Sequence, residues 1–407
     1  MKRKNLYIII GSIAAVLVCL AVVLPVTLHF SNKPSSDNPQ IPTKLSAGLY
    51  DEENQLTTSW DELVENQTVR LTDTTFEYCA RDMKGTLVVD EGVTKLGRNA
   101  FLSCQSLTTV VLPASLTEIG LHAFYNCISL EEVSLTTGSQ LKTIGYGAFT
   151  YCHKLKTFEI PSSVTLIDES AFLGCTVLDN ITLPESISTI KHSLFKDCLG
   201  LENLTFTTSP TAIEAYAFYN CESLTSVDLT AIETIDEWAF FGCDSLHSIT
   251  IPISCKAIKK EAFKRCMGLE EVLFEENDIE ADQPLGSILV GEGVFQECTV
   301  LKTITLPRSL FMISDYMFSG CESLETFEIG KYITRIGRFA FHGCKNLKVT
   351  FSTKGYWVYS AKNDFTDSSL YTPIQFWSSE EDRSLLTDGL ENMYFGIVEE
   401  PKGEIAA

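Results

Sequence analysis

Fourteen cysteines and six histidines are the residues best equipped for chemistry in this 407-residue chain. Regularly spaced thiols can pair as disulfides, ligate a soft metal or act as nucleophiles. Eleven of them keep one phase: Cys104, Cys127, Cys152, Cys175, Cys198, Cys221, Cys243, Cys266, Cys298, Cys321 and Cys344. No C-x-x-C occurs, and His29, His122, His153, His192, His247 and His342 fall at unrelated phases. Neither a zinc set nor a Ser–His–acid triad converges from such a pattern, and no nucleophile elbow or phosphate loop is present. Identical stacking would place each sulfur midway between two neighbours, which dictates no disulfide pairing. The expectation is therefore a ladder of buried free thiols serving as small apolar groups, with no cofactor, no metal and no enzymatic activity.

Carboxylates are the other abundant reactive group. Seven acids lie within "EEVLFEENDIEAD", residues 270–282, yet the stretch lacks the glycine and alternation of a calcium-binding loop and reads as a solvated acidic segment. Across the chain 53 acids face 31 Lys and Arg, a formal charge of −22. That balance repels a phosphate backbone, and no basic stripe offsets it, so nucleic acid is not expected as a partner.

The elements that must hold these residues repeat. Each in-phase cysteine follows a phenylalanine by three positions and precedes a leucine by three, as in Phe101, Cys104, Leu107, or Phe124, Cys127, Leu130, or Phe218, Cys221, Leu224. Successive phenylalanines stand 23, 25, 23, 23, 23, 22, 23, 32, 23 and 23 residues apart. A period in the twenties is a solenoid signature, each unit burying its apolar face only against its neighbours. In "SLTTVVLP" (106–113) the apolar Leu107, Val110 and Leu112 alternate with other positions and stop at a proline, which reads as a short strand. "ASLTEIG" follows as a turn and a second extended stretch, and "AFxxC" reads as a tight helical turn dropping Phe and Cys into the core. The expected fold is α/β: about eleven 23-residue units of short parallel strands plus short helical turns, ~50 Å long at ~4.8 Å per strand.

The pattern LxxVxLPxSLTxIGxxAFxxC resembles the BspA-type leucine-rich repeat over about residues 92–351. The resemblance implies a leucine-rich-repeat solenoid, display at the cell surface, and binding to host or neighbouring-cell proteins. It implies no catalytic residue, because its motif positions are structural.

Outside the repeats, Lys2, Arg3 and Lys4 lie in a basic stub (1–5) before an uncharged apolar stretch, residues 6–30. That stretch is long enough for a transmembrane helix, longer than a usual signal-peptide core and without a small-residue cleavage site, so it reads as an uncleaved single-pass anchor with the repeats extracellular. Cys19 lacks the preceding small residue of a lipidation site and reads as a membrane thiol. Residues 31–47, rich in Pro, Ser and Asn, form a spacer. Residues 48–91 read as an opening cap, Trp60 covering the core's end and Phe76 and Cys79 echoing the repeat pair one period early. Residues 352–407 keep Tyr356, Trp357, Phe376, Trp377 and Phe395 but lose the motif; they read as a closing cap, with a small aromatic binding module as the rival.

The strand face offers the candidate binding site. Between the inward positions lies one outward row holding Glu159, Thr182, Thr205, Asp228 and Thr250; a second holds Glu132, Thr157, Asn180, Asn203, Ser226 and Ser248. Small hydroxyl and amide groups on a rigid sheet lose little entropy on binding and can pair with a partner's backbone or with sugars. The competing reading is that Thr simply suits an exposed strand. No aromatic anchor stands on this face, so modest affinity per site is expected. Sequons at Asn66, Asn180 and Asn203 would, if glycosylated, cover part of it. The functional expectation is a membrane-anchored surface protein that binds extracellular proteins or glycans, in adhesion. The alternative is a self-associating envelope scaffold.

Overall fold

The computed structural model describes residues 91–275, 288–330 and 332–351, together with the strands Gly48–Tyr50, Leu56–Ser59, Thr68–Leu71, Thr75–Phe76, Lys84–Val89, Tyr356–Ser360, Thr372–Pro373 and Tyr394–Val398. Segments 1–5, 6–30 and 31–47 lie outside these residues, as do Trp60, the aromatic side chains of the tail and residues 276–287 of the acidic loop. Among the described residues no helix is long and apolar enough to cross a membrane.

The repeats wind as a stack of coils, numbered here 1 to 11 by their core phenylalanines from Phe101 to Phe341. Each coil has three sides. The first carries the longer strands, paired in parallel one repeat apart: Ser106–Leu112 with Glu132–Leu135, Asn180–Leu183 with Asn203–Phe206, and Ser248–Ile251 with Glu271–Phe274. The second carries two-residue strands such as Glu118–Ile119 and Thr143–Ile144, again in parallel register. The third is the Ala-Phe-x-x-Cys segment.

The third side corrects the α/β expectation, because no helix forms among the described residues. A helix sends every N–H to a carbonyl four residues back, and here the donors alternate instead. In coil 2 the N–H groups of Ala123, Tyr125 and Cys127 donate to Gly120, His122 and Phe124, three residues back. Those of His122, Phe124 and Asn126 donate to Tyr146, Ala148 and Thr150 of the next coil, at 2.7–2.9 Å. The residues two before and two after the phenylalanine adopt left-handed backbone, φ 56° at His122 and 60° at Asn126. The third side is thus a run of tight turns knitted into an intercoil ladder, and the fold is a parallel β-solenoid of about eleven turns.

Three smaller expectations change. Residues 158–160 and 225–229 form no strand; in coil 3 the first side is joined only by the bridges Glu132–Thr157 and Thr157–Asn180. Phe76 pairs in register with Leu96, the second-side position, and not with Phe101, so it is no early copy of the stacked phenylalanine. The thiols are more than apolar filler, as described below. At the far end Tyr394–Val398 joins Arg335–Ile336 antiparallel and Tyr356–Ser360 pairs with it in turn, so the second-side sheet changes direction after coil 11.

The core is a single file of ladders. Phe101, Phe124, Phe149 and their equivalents are fully buried and stack ring on ring, centroids 5.0–5.9 Å apart through all eleven coils. Beside them run the buried Cys and Leu files. Length differences between repeats collect at one corner. The path from the last inward residue of the first side to the second-side residue is Leu112 to Ile119 in a standard coil, but Leu135 to Ile144, Leu229 to Ile235 and Phe274 to Val290 in the 25-, 22- and 32-residue repeats. The 32-residue repeat carries its extra residues between Phe274 and Val290, at this corner.

Candidate functional site

The first-side strands rise because their alternating inward residues, such as Ile181 and Leu183 or Ile249 and Ile251, sink into the core. The residues between them are then forced outward. All eleven candidate positions are exposed: Glu132, Thr157, Glu159, Asn180, Thr182, Asn203, Thr205, Ser226, Asp228, Ser248 and Thr250. Register brings several of them side by side. Asn180 pairs with Asn203 and Thr182 with Thr205, and Glu132, Thr157 and Asn180 succeed one another across three coils. At the sheet's beginning Val111 and Ser134 are only partly exposed, so the open part of the face starts in coil 2.

Its polar groups are partly engaged with one another. Asn203 Nδ2 donates to Asn180 Oδ1 at 2.9 Å, and Asn180 Nδ2 donates to Asp179 at 2.7 Å. The sequon asparagines Asn180 and Asn203 are therefore in contact. Asp228 behaves differently from the rest of its row. It lies in a stretch without strand pairing and accepts bonds from the N–H of Thr230 at 2.9 Å, from Thr230 Oγ1 at 2.8 Å and from Ser209 Oγ, which hold its carboxyl below the usual range against the opposing effect of burial. Its job is local: it shapes the shortened corner of the 22-residue repeat. Lys154 with Glu131 (3.1 Å) and Lys156 with Asp179 (3.5 Å) border the face as exposed ion pairs.

The thiol file can do little chemistry. From Cys127 to Cys344 each Sγ donates to the carbonyl of the phenylalanine one coil back, at 3.1–3.2 Å. The in-phase cysteines are buried and none of them is in a disulfide. Burial pushes the Cys175 and Cys344 thiols up to about 12, so they stay protonated and unreactive at neutral pH. The cysteine thus does two things at once, filling a core slot and satisfying a main-chain acceptor. Among the described residues no group of His, Cys, Asp and Glu could hold a metal ion.

A second surface was missed in the sequence. On the turn side, residues pointing away from the core form clusters of rings: His122 with Tyr125 and Tyr146, and, in coils 6 and 7, Tyr216 with Trp238 and Tyr219 with Phe241. The signal was present, because Tyr125, Tyr219 and Phe241 each directly follow a core phenylalanine. Read as a helical turn, that position gives no indication that successive coils bring the rings into contact.

The comparisons with known proteins agree with this architecture. A model of the BspA type leucine rich repeat region matches in six copies over residues 69–199, 166–285 and 278–381. Among solved structures, a leucine rich cell surface protein from Faecalibacterium prausnitzii is 26% identical, covering 79% of this chain and 97% of its own, with a TM-score of 0.49. A leucine-rich repeat protein from Bacteroides ovatus is 23% identical over 70% of this chain and 82% of its own, with a TM-score of 0.56, and shares the fold. A comparison with curated proteins finds no match. With its repeats matched over most of their length, the chain belongs to the BspA type leucine rich repeat family.

Proposed function

We propose that this protein is a cell-surface recognition protein that binds proteins or glycans across its first-side strands, in adhesion to host or neighbouring cells. The observation that carries the reading is the co-registered row of exposed amide and hydroxyl groups, Asn180–Asn203 and Thr182–Thr205, on a rigid parallel sheet. Membership of a leucine-rich-repeat family supports an interaction scaffold, and the basic-flanked apolar segment 6–30 supports display at a membrane.

The test is binding of the full-length chain to an array of extracellular-matrix proteins, cell-surface glycoproteins and glycans. A parallel sample carries Glu132→Ala, Glu159→Ala, Asn180→Ala and Asn203→Ala. Asp228 is left intact because it holds the corner. A hit weakened at least about tenfold in the variant supports the strand face. A hit fully retained removes the site from it. No hit at all, with self-association in solution, favours the scaffold reading.

A further inference from the structure

Successive coils can be joined on three sides, and one boundary lacks two of them. Among the described residues, every boundary from coil 1 to coil 9, and that between coils 10 and 11, carries strand pairing on the first side, the second side or both. Between coils 9 and 10 neither side pairs. Thr303–Thr305 pairs back to Glu271–Phe274, and Thr326–Ile329 pairs forward to Lys348–Phe351. Likewise Leu289–Val290 pairs back to Ala257–Ile258, and Met312–Ile313 forward to Arg335–Ile336.

The turn side crosses this seam intact. The N–H groups of Gly293, Phe295 and Glu297 donate to Asp315, Met317 and Ser319 at 2.7–3.0 Å, and Cys321 Sγ donates to the Phe295 carbonyl at 3.2 Å. The Phe295 and Phe318 rings remain stacked at 5.9 Å. Two further bonds cross at the ends of this side, Ser314 Oγ to the Val290 carbonyl and Ser323 N–H to the Thr299 carbonyl. Away from it the packing is looser. A cavity of about 400 Å³ lies between Lys302 and Thr303 of coil 9 and Glu325 and Thr326 of coil 10. Ile304 and Leu306, the inward residues of coil 9, are only half-buried, whereas Val272 and Phe274 before them and Phe327 and Ile329 after them are buried. On the second side Leu289 is 70% exposed, and Phe311 and Met312 are exposed with it.

In a stacked array, stability is a sum of unit terms and nearest-neighbour interfaces, so the array divides where an interface is poorest. Missing ladder bonds and poorly covered apolar groups mark a low free energy of local opening. The far end is better closed than the seam, because Tyr394–Val398 pairs with Arg335–Ile336 and continues the second-side sheet past coil 11. We propose that the solenoid consists of two cooperative blocks, coils 1–9 and coils 10–11, and that the second opens as a unit by parting at this seam. The turn side holds the blocks together at rest. All eleven strand-face positions from Glu132 to Thr250 lie in the first block, so the seam is a device separate from that candidate site.

The test is hydrogen–deuterium exchange of the full-length chain in urea below its unfolding transition, read peptide by peptide. Peptides from 312–351 should exchange together, at least about tenfold faster than those from 101–274, with a step between coils 9 and 10. Phe341→Ala empties a fully buried site in coil 11 and should speed exchange at least about another tenfold through both coils of the second block, leaving 101–274 unchanged. Thr303→Cys with Thr326→Cys, oxidised, ties the two faces of the cavity and should slow exchange of 312–351 at least about tenfold, reversibly on reduction. A cross-link inside the first block, Ser248→Cys with Glu271→Cys on register partners, should leave 312–351 unchanged. One uniform rate through all eleven coils would overturn the proposal, as would a coil-by-coil gradient from the C-terminal end with no step. Loss of protection that spreads from Phe341→Ala into coils 1–9, or a seam cross-link without effect, would overturn it too.

Discussion

The turn side and the corner between the first and second sides treat the same chain in opposite ways. The corner absorbs every change of repeat length, from one residue fewer at Leu229 to Ile235 to nine more at Phe274 to Val290. The turn side absorbs none: Phe, Cys and Leu keep their three-residue spacing in all eleven coils. The reason is hydrogen bonding. Turn-side N–H groups alternate between a carbonyl of their own coil and one of the next, so an inserted residue breaks two ladders at once. The corner makes one local turn, such as Leu116 N–H to the Pro113 carbonyl, and its bonds to the neighbouring coil, such as Gln140 N–H to the Ala114 carbonyl, are scattered and do not alternate residue by residue. Sequence freedom in this solenoid therefore follows how many partners the backbone already has.

The sharpest way to break the comparison is insertion. A Gly-Ser pair placed between Tyr125 and Asn126 should strip several buried main-chain bonds and cost about 5 kcal/mol or more, at ~1–3 kcal/mol each. The same pair between Gly138 and Ser139, at the corner, should cost about 0.6 kcal/mol or less. Urea midpoints of the two variants read the difference, and equal losses would refute the account.

Next in size is the contrast across a single turn. Phe218→Ala removes a fully buried ring from the middle of the stack and should cost ~3–5 kcal/mol. Tyr219→Ala, one residue on and half-buried, should cost about 1 kcal/mol. Chemical denaturation of both variants provides the ratio.

The thiol file extends the comparison to pH. A thiol raised from 9.0 to about 12, as at Cys175, ionises first in the unfolded chain. Its contribution is fully present below pH 9 and is lost as pH rises towards 12, at ~1.4 kcal/mol per pH unit for each thiol exposed. The denaturation midpoint should therefore fall between pH 9 and pH 11, and Cys175→Ala should flatten that fall by one thiol's share. A midpoint independent of pH in this window would contradict the burial of the file.

The smallest effect belongs to the strand face. Asn203→Ala breaks the exposed bond to Asn180 and should change stability by no more than ~0.5 kcal/mol. A loss of several kcal/mol would make the amide file structural and weaken its reading as a binding surface.

Much of this was legible from residue types. The Phe, Cys and Leu files, the parallel strand face and the outward rows at Asn180, Thr182, Asn203 and Thr205 follow from a period of 23 and the two-residue alternation of a strand. Ser226 and Asp228 were placed on the right face but in a strand that does not form, because the shortened repeat pulls its corner onto the Asp228 carboxyl. Phe76 was misassigned because Phe-x-x-Cys spacing is blind to register, which the pairing of Thr75–Phe76 with Lys95–Leu96 decides.

What the sequence determined by itself is the repeat, its inward residues and the faces they leave exposed, since each depends only on spacing along the chain. What the tertiary structure decided is the conformation of the turn side and everything built on it: the left-handed residues, the S–H bonds to phenylalanine carbonyls, and the Tyr219–Phe241 stack between Lys196 and Arg265. Each of these joins groups about one repeat apart in sequence but adjacent in space. A local reading of Ala-Phe-x-x-Cys sees a helical turn. Only stacked neighbours supply the carbonyls that draw every second N–H out of it.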